Sequence, residues 1–116
     1  RTGPGAQEVD IMEEKEELKA LELGSKQRRY LKTLAHHLRV TVQVGSNGVT
    51  DGVIGAVDDA LLRHELIKVR MREPEDKKGA AQTLATSTAS CLCGLVGHTV
   101  ILYRPHPEDP EIKLPR

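Results

Sequence analysis

Arg28, Arg29, Lys32 and His36 recur at a spacing that sets them along one side of a helix, and Arg39 continues the row if the helix extends so far. No aspartate or glutamate occurs between Ser25 and Asn47, so these cations have no acidic neighbour in the sequence. Such a ridge can hold phosphates. Each cation that meets one releases condensed counterions, which gives a salt-dependent and largely sequence-independent affinity. Arginine can also fork onto two phosphate oxygens, as lysine cannot. A solvated helix face is the usual account of a charge run, but the lack of neutralising acids favours binding here. Just downstream stands Gly45-Ser46-Asn47-Gly48. Glycines at both ends let a backbone turn tightly and approach a phosphate without a Cβ in the way. A helix starting after the loop would aim its free N–H groups and positive dipole end at it. Taken alone, a strand-to-helix turn needing positive φ explains the same residues. Lys68, Arg70 and Arg72 share one parity of a strand-like run, opposite Ile67, Val69 and Met71. They either extend the basic patch or form the solvated face of a half-exposed sheet.

Two other clusters invite chemistry. His36 and His37 are adjacent, but a general acid–base role needs a placed carboxylate or nucleophile, and no motif supplies one. His36 fits the ridge, and His37 fits a packed edge beside Tyr30. Cys91, Cys93 and His98 form C-x-C-x4-H, a spacing that matches no common structural zinc site, which takes four ligands. Same-face strand cysteines usually behave as small buried hydrophobes. The expectation is therefore a non-enzymatic chain with no metal and no cofactor.

The elements that must position these residues follow from periodicity and punctuation. Gly24 interrupts the chain and Ser25 can cap a helix over about Lys26 to Leu38, with Leu31, Leu34, Ala35 and Leu38 on its apolar seam. Residues 40–44, VTVQV, alternate and are β-branched, as in a strand. Thr50 can cap a second helix over residues 51–63, with Val53, Ile54, Val57 and Leu61 inward. Residues 65–72 read as a second strand, 76–90 as a weakly amphipathic third helix, and 91–96 and 98–104 as a hairpin through Gly97. The order αβαβαββ predicts an α/β fold, a compact sandwich with a four-stranded mixed sheet and three helices.

Charge is unevenly spread over the 116 residues, although the net charge is zero. Residues 1–24 carry seven acids against three bases, and residues 25–72 carry nine bases against four acids. Local concentration, not net charge, attracts a polyanion. The acidic residues 1–24 predict a partly helical or disordered extension, whose segment 8–22 is a solvated tail, a guard over the ridge or a partner-binding helix. Residues 105–116 hold four prolines and predict a disordered tail. The only aromatics, Tyr30 and Tyr103, are too few for RNA modules that stack several bases on exposed rings. No apolar run approaches the ~18 residues that span a bilayer, and the first residues lack a signal-peptide core. With no disulfide framework, a reducing cytoplasmic setting is expected.

Four segments in this order, SKQRRYLKTLAHHL, VQVGSNGVTDGVI, DDALLRHELIKVRM and GLVGHTVILYR, resemble the CRM domain (chloroplast RNA splicing and ribosome maturation) over roughly residues 23–104. The likeness is to its stand-alone bacterial, YhbY-type form. The resemblance implies a fold similar to the C-terminal domain of translation initiation factor three and no enzymatic activity. It implies an RNA surface at Gly45, Ser46, Asn47, Gly48 and nearby basic residues. It also implies association with ribosomal RNA in precursor large ribosomal subunits. Separately, the chain is expected to be a monomer with no membrane partner. Family loops commonly carry a base after the first glycine, where this chain has Ser46. Two rival readings remain at this point: a protein-interaction module, and an organellar intron-splicing factor.

Overall fold

The computed structural model describes residues 23–115. Helix α1 (Ser25–Ala35) leads to strand β1 (Val40–Val44), helix α2 (Asp51–His64) and strand β2 (Leu66–Met71). Helix α3 (Lys77–Ser87) and the hairpin β3 (Cys91–Val96) and β4 (Thr99–Tyr103) complete the chain of elements. The four strands form one mixed sheet in the order β1-β2-β4-β3. β1 and β2 are parallel, joined by α2 as a βαβ unit, and β4 runs antiparallel to both β2 and β3. This is the αβαβαββ sandwich expected from the sequence.

Strand parity divides the core in two. On one face, Ile67, Val69 and Met71 of β2 and Val100 and Leu102 of β4 pack against Val57, Ala60 and Leu61 of α2 and Ala81, Leu84 and Ala85 of α3. On the other, Leu66, Cys93, Ile101 and Tyr103 pack against Leu31 and Ala35 of α1, with Leu23. Leu31, Leu61, Ile67 and Leu102 are wholly buried, each stabilising the fold by about 1.5–3 kcal/mol. The single helix α1 covers only part of its face, and that unequal coverage leaves sheet residues open for contact.

Element ends differ from expectation in instructive ways. Thr50 does cap α2, its hydroxyl accepting the Val53 N–H at 3.2 Å. At α1 the cap position is Gly24, not Ser25, and the Gln27 side chain accepts the Gly24 N–H at 3.0 Å. α1 stops at Ala35 rather than near Leu38, with His36 as its C-cap. Burial ends there too: Leu38 has no core to meet and stays exposed.

Residues 105–115, expected as a disordered tail, lie against the domain. The buried Glu65 carboxylate accepts the backbone N–H groups of His106 at 2.7 Å, Glu111 at 2.8 Å and Ile112 at 3.0 Å. Ile112 and Leu114 pack onto the α1 cluster, and Gln27 donates to the Pro115 carbonyl. Prolines prevent regular structure there but do not prevent docking onto fixed acceptors. The acidic segment 8–22 lies outside the described residues.

Candidate nucleic-acid interface

Arg28, Arg29 and Lys32 are exposed on α1, and Lys32 lies on the flank nearest β3. The methylenes of Lys32 lie along Gly94 of β3, 3.1–3.2 Å from where a Cβ on that glycine would stand. A bare strand position thus gives the lysine stem a bed and leaves its ammonium free to project. Because the helix ends early, Arg39 leaves the row and lines an apolar groove with Leu34, Leu38, Leu66 and Ile112. His36 is exposed at the helix end, its ring 5.6 Å from that of His37 in an edge-on contact. His37 is thus paired with His36 at the surface.

The Gly45–Gly48 turn closes through a hydrogen bond from the Gly48 N–H to the Gly45 carbonyl at 3.1 Å. Gly48 has φ +73°, a region that penalises any Cβ, whereas Gly45 has no positive φ and open space around it. The turn faces the β2–α3 loop across a cleft walled by Arg72, Glu73, Glu75 and Asp76. Thr50 already occupies one N–H of the following helix, and Asp51 puts a carboxylate in its first turn. The loop thus sits among acids with a single arginine nearby, which weakens its pull on a phosphate relative to a bare helix start. None of the α1 cations lines this cleft, so ridge and loop are separate patches.

Strand β2 connects them. Lys68 and Arg70 share the α1 face with Leu66, as parity requires. Lys68 is half-buried and donates to the Leu38 carbonyl at 3.1 Å, closing the chain after α1. Arg70 and Arg72 are exposed and border a concave site of 350 Å³ with Gln43, Glu73 and His98. Gln43, Arg70 and Thr99 stand side by side on β1, β2 and β4. Among the described residues, none of Arg28, Arg29, Lys32, Arg70 or Arg72 makes a salt bridge; the acids that do pair, Asp58 and Asp59, hold Arg104 and Arg63. Unpaired exposed cations retain their attraction for a polyanion. Gln43 and His98 join this site only through strand register, a signal absent from local sequence.

The other candidates come apart. Cys91 and Cys93 lie at the start of β3 and His98 in the turn beyond its end, and no group of three metal-binding side chains exists among the described residues. Burial pushes the Cys93 thiol up to about 12, aided by Cys91 and opposed by the Arg28 guanidinium, so it stays protonated and unreactive at neutral pH. No helix among the described residues is long and apolar enough to cross a membrane.

Comparison with known proteins finds relatives of the chain. Residues 23–104 match the model of the CRS1 / YhbY (CRM) domain. The chain is 41% identical over 96 residues to a protein of Haemophilus influenzae named "RNA-binding protein", covering 81% of this chain and 96% of that one. It is 40% identical over 95 residues to the "Probable RNA-binding protein YqeI" of Bacillus subtilis, covering 80% and 99%. The solution structure of a hypothetical protein from Staphylococcus aureus superposes with TM-score 0.72 at 40% identity, covering 81% of this chain and all of that one.

Proposed function

The chain belongs to the CRS1 / YhbY (CRM) domain family, and on that premise we propose that it is an RNA-binding protein whose grip is electrostatic and geometric. The observation that carries the reading is the set of exposed arginines and lysine on α1 and along or just after β2 with no acidic partner among the described residues. Arg28, Arg29 and Lys32 meet the backbone of a folded RNA on one flank, and Arg70 and Arg72 meet it on the open sheet face. The Gly45–Gly48 turn adds a main-chain contact, the weaker of the grips because of the acids beside it. The names of the relatives support RNA as the partner. Family resemblance extends the proposal to ribosomal RNA in precursor large subunits, where a cytoplasmic monomer would hold a local conformation and release it as assembly proceeds. This mechanism requires no catalytic step and no cofactor.

The test is a salt series of binding to ribosomal RNA fragments, with the native chain and an Arg28→Glu/Arg29→Glu/Lys32→Glu variant checked for folding by circular dichroism. Native affinity should fall steeply with salt, and the folded variant should lose both affinity and about three units of the log–log salt slope. A native chain that binds no RNA even at low salt sinks the proposal.

A further inference from the structure

The concave site beside Arg72 combines groups that a plain phosphate site would not. Two arginines wall it, yet so does Glu73, an acceptor-only carboxylate that repels phosphate. Glu73 makes no salt bridge with either arginine among the described residues, so opposite charges face one space without neutralising each other. A ligand that satisfies both must be negative at one end and rich in N–H donors at the other. Gln43, with an amide, and His98, with an imidazole, supply further donors and acceptors to the same site. At 350 Å³ the site is of the size that holds a small organic ligand.

The backbone beneath it is fixed in advance. The Met71 N–H donates to the His98 carbonyl at 2.8 Å, and the Arg72 N–H to the Val44 carbonyl at 2.9 Å. Glu73 is held at φ +45°, a left-handed conformation that is strained for a non-glycine residue. These restraints fix the backbone that carries Arg72 and Glu73 before any ligand arrives.

We propose that this site seats one unpaired nucleotide of the bound RNA, its phosphate on Arg70 and Arg72 and the amino edge of its base on Glu73 and Gln43. The inference rests on the RNA-binding reading and deepens it: the ridge grips backbone, and this site recognises an extruded base. Unpaired bases expose their Watson–Crick edges to side chains, and guanidinium planes can stack on them where aromatics are lacking. A base carrying an exocyclic amino group satisfies the Glu73 carboxylate better than uracil does.

The experiment titrates the isotope-labelled full chain with GMP, AMP, CMP, UMP and inorganic phosphate, following backbone amide resonances. Shifts should gather at Gln43, Arg70 to Glu73 and His98, with UMP binding about fivefold more weakly than an amino-bearing nucleotide. Arg70→Ala should abolish the shifts, and Glu73→Gln should erase the preference over UMP while the remaining spectrum stays native. The same shifts with inorganic phosphate alone, or none at this site with any nucleotide, would overturn the proposal even if ribosomal RNA still binds. Nucleotide binding here by a chain that binds no RNA would keep the site and overturn the RNA reading.

Discussion

Lys32 and Gly94 are in contact across the gap between α1 and β3, with the lysine stem where a strand side chain would otherwise stand. The glycine therefore acts on the basic surface at a distance from its own backbone, by deciding where an ammonium projects. Gly94→Val should displace the flexible stem without disturbing the strand. Removing a strand glycine stabilises by up to about 1 kcal/mol, so the denaturation midpoint should hold or rise. RNA affinity should fall, with a salt slope reduced by up to about one unit. Native affinity in a folded Gly94→Val chain would show that this contact does not position Lys32 for RNA.

Lys68 and Arg70 share a strand face but should separate cleanly in experiment. Lys68 holds the Leu38 carbonyl, so Lys68→Met should cost about 0.5–1.5 kcal/mol of stability and leave RNA affinity near native. Arg70 is exposed and has no salt bridge, so Arg70→Met should do the reverse. Urea denaturation and RNA titration on both variants decide it, and equal behaviour of the pair would contradict the assignment.

Glu65 ends α2 at φ +63°, a conformation that favours glycine, yet its buried carboxylate collects three N–H groups from residues 106–112. Glu65→Gln replaces one acceptor oxygen with a donor and should free the segment. The expected loss is about 1–3 kcal/mol, with rapid hydrogen exchange at His106, Glu111 and Ile112. Unchanged protection at those amides would mean that apolar packing of Ile112 and Leu114 holds the segment instead.

Sequence periodicity was enough for the element order, because strand parity in β2 and the helical seam of α1 are local signals. It also marked Thr50 as a cap, since capping chemistry is local too. What it did not reveal depends on chain segments far apart. The docking of residues 105–115 follows from a buried glutamate some forty positions earlier. Gln43 and His98 reach one site through the register of β1, β2 and β4. Arg39 lost its place in the ridge because α1 ended where the core ended, which no propensity records. The acids around the Gly45–Gly48 turn come from the β2–α3 loop and were invisible in the turn itself.

The two glycines of that turn should not be equivalent. Gly48→Ala puts a Cβ at φ +73° and should cost about 1–2 kcal/mol, whereas Gly45→Ala meets open space and should be nearly neutral. If the main chain of the turn touches RNA, Gly45→Ala should still weaken binding at unchanged stability. Thermal midpoints read the first expectation and RNA affinity the second. Native affinity in the Gly45 variant would remove the turn from the interface.

Alkaline pH should unfold this protein through two buried groups on the α1 face. Burial raises Cys93 from 9.0 to about 12, with Cys91 adding and Arg28 opposing. Burial also raises Tyr103 from 10.0 to about 12, with the Glu65 carboxylate and both cysteines adding. A raised folded value means that the unfolded chain releases its proton first. The stabilisation is therefore complete below the ordinary values and is lost as pH climbs from about 9 towards 12. Each group adds a slope of up to about 1.4 kcal/mol per pH unit in that window. Urea denaturation from pH 7.5 to 11 should show stability flat at first and then falling. Tyr103→Phe and Cys93→Ala should each flatten the fall, whatever they cost at neutral pH. A native chain whose stability does not decline above pH 9 would mean that these groups ionise as readily folded as unfolded, and that the α1 face is wetter than its packing implies.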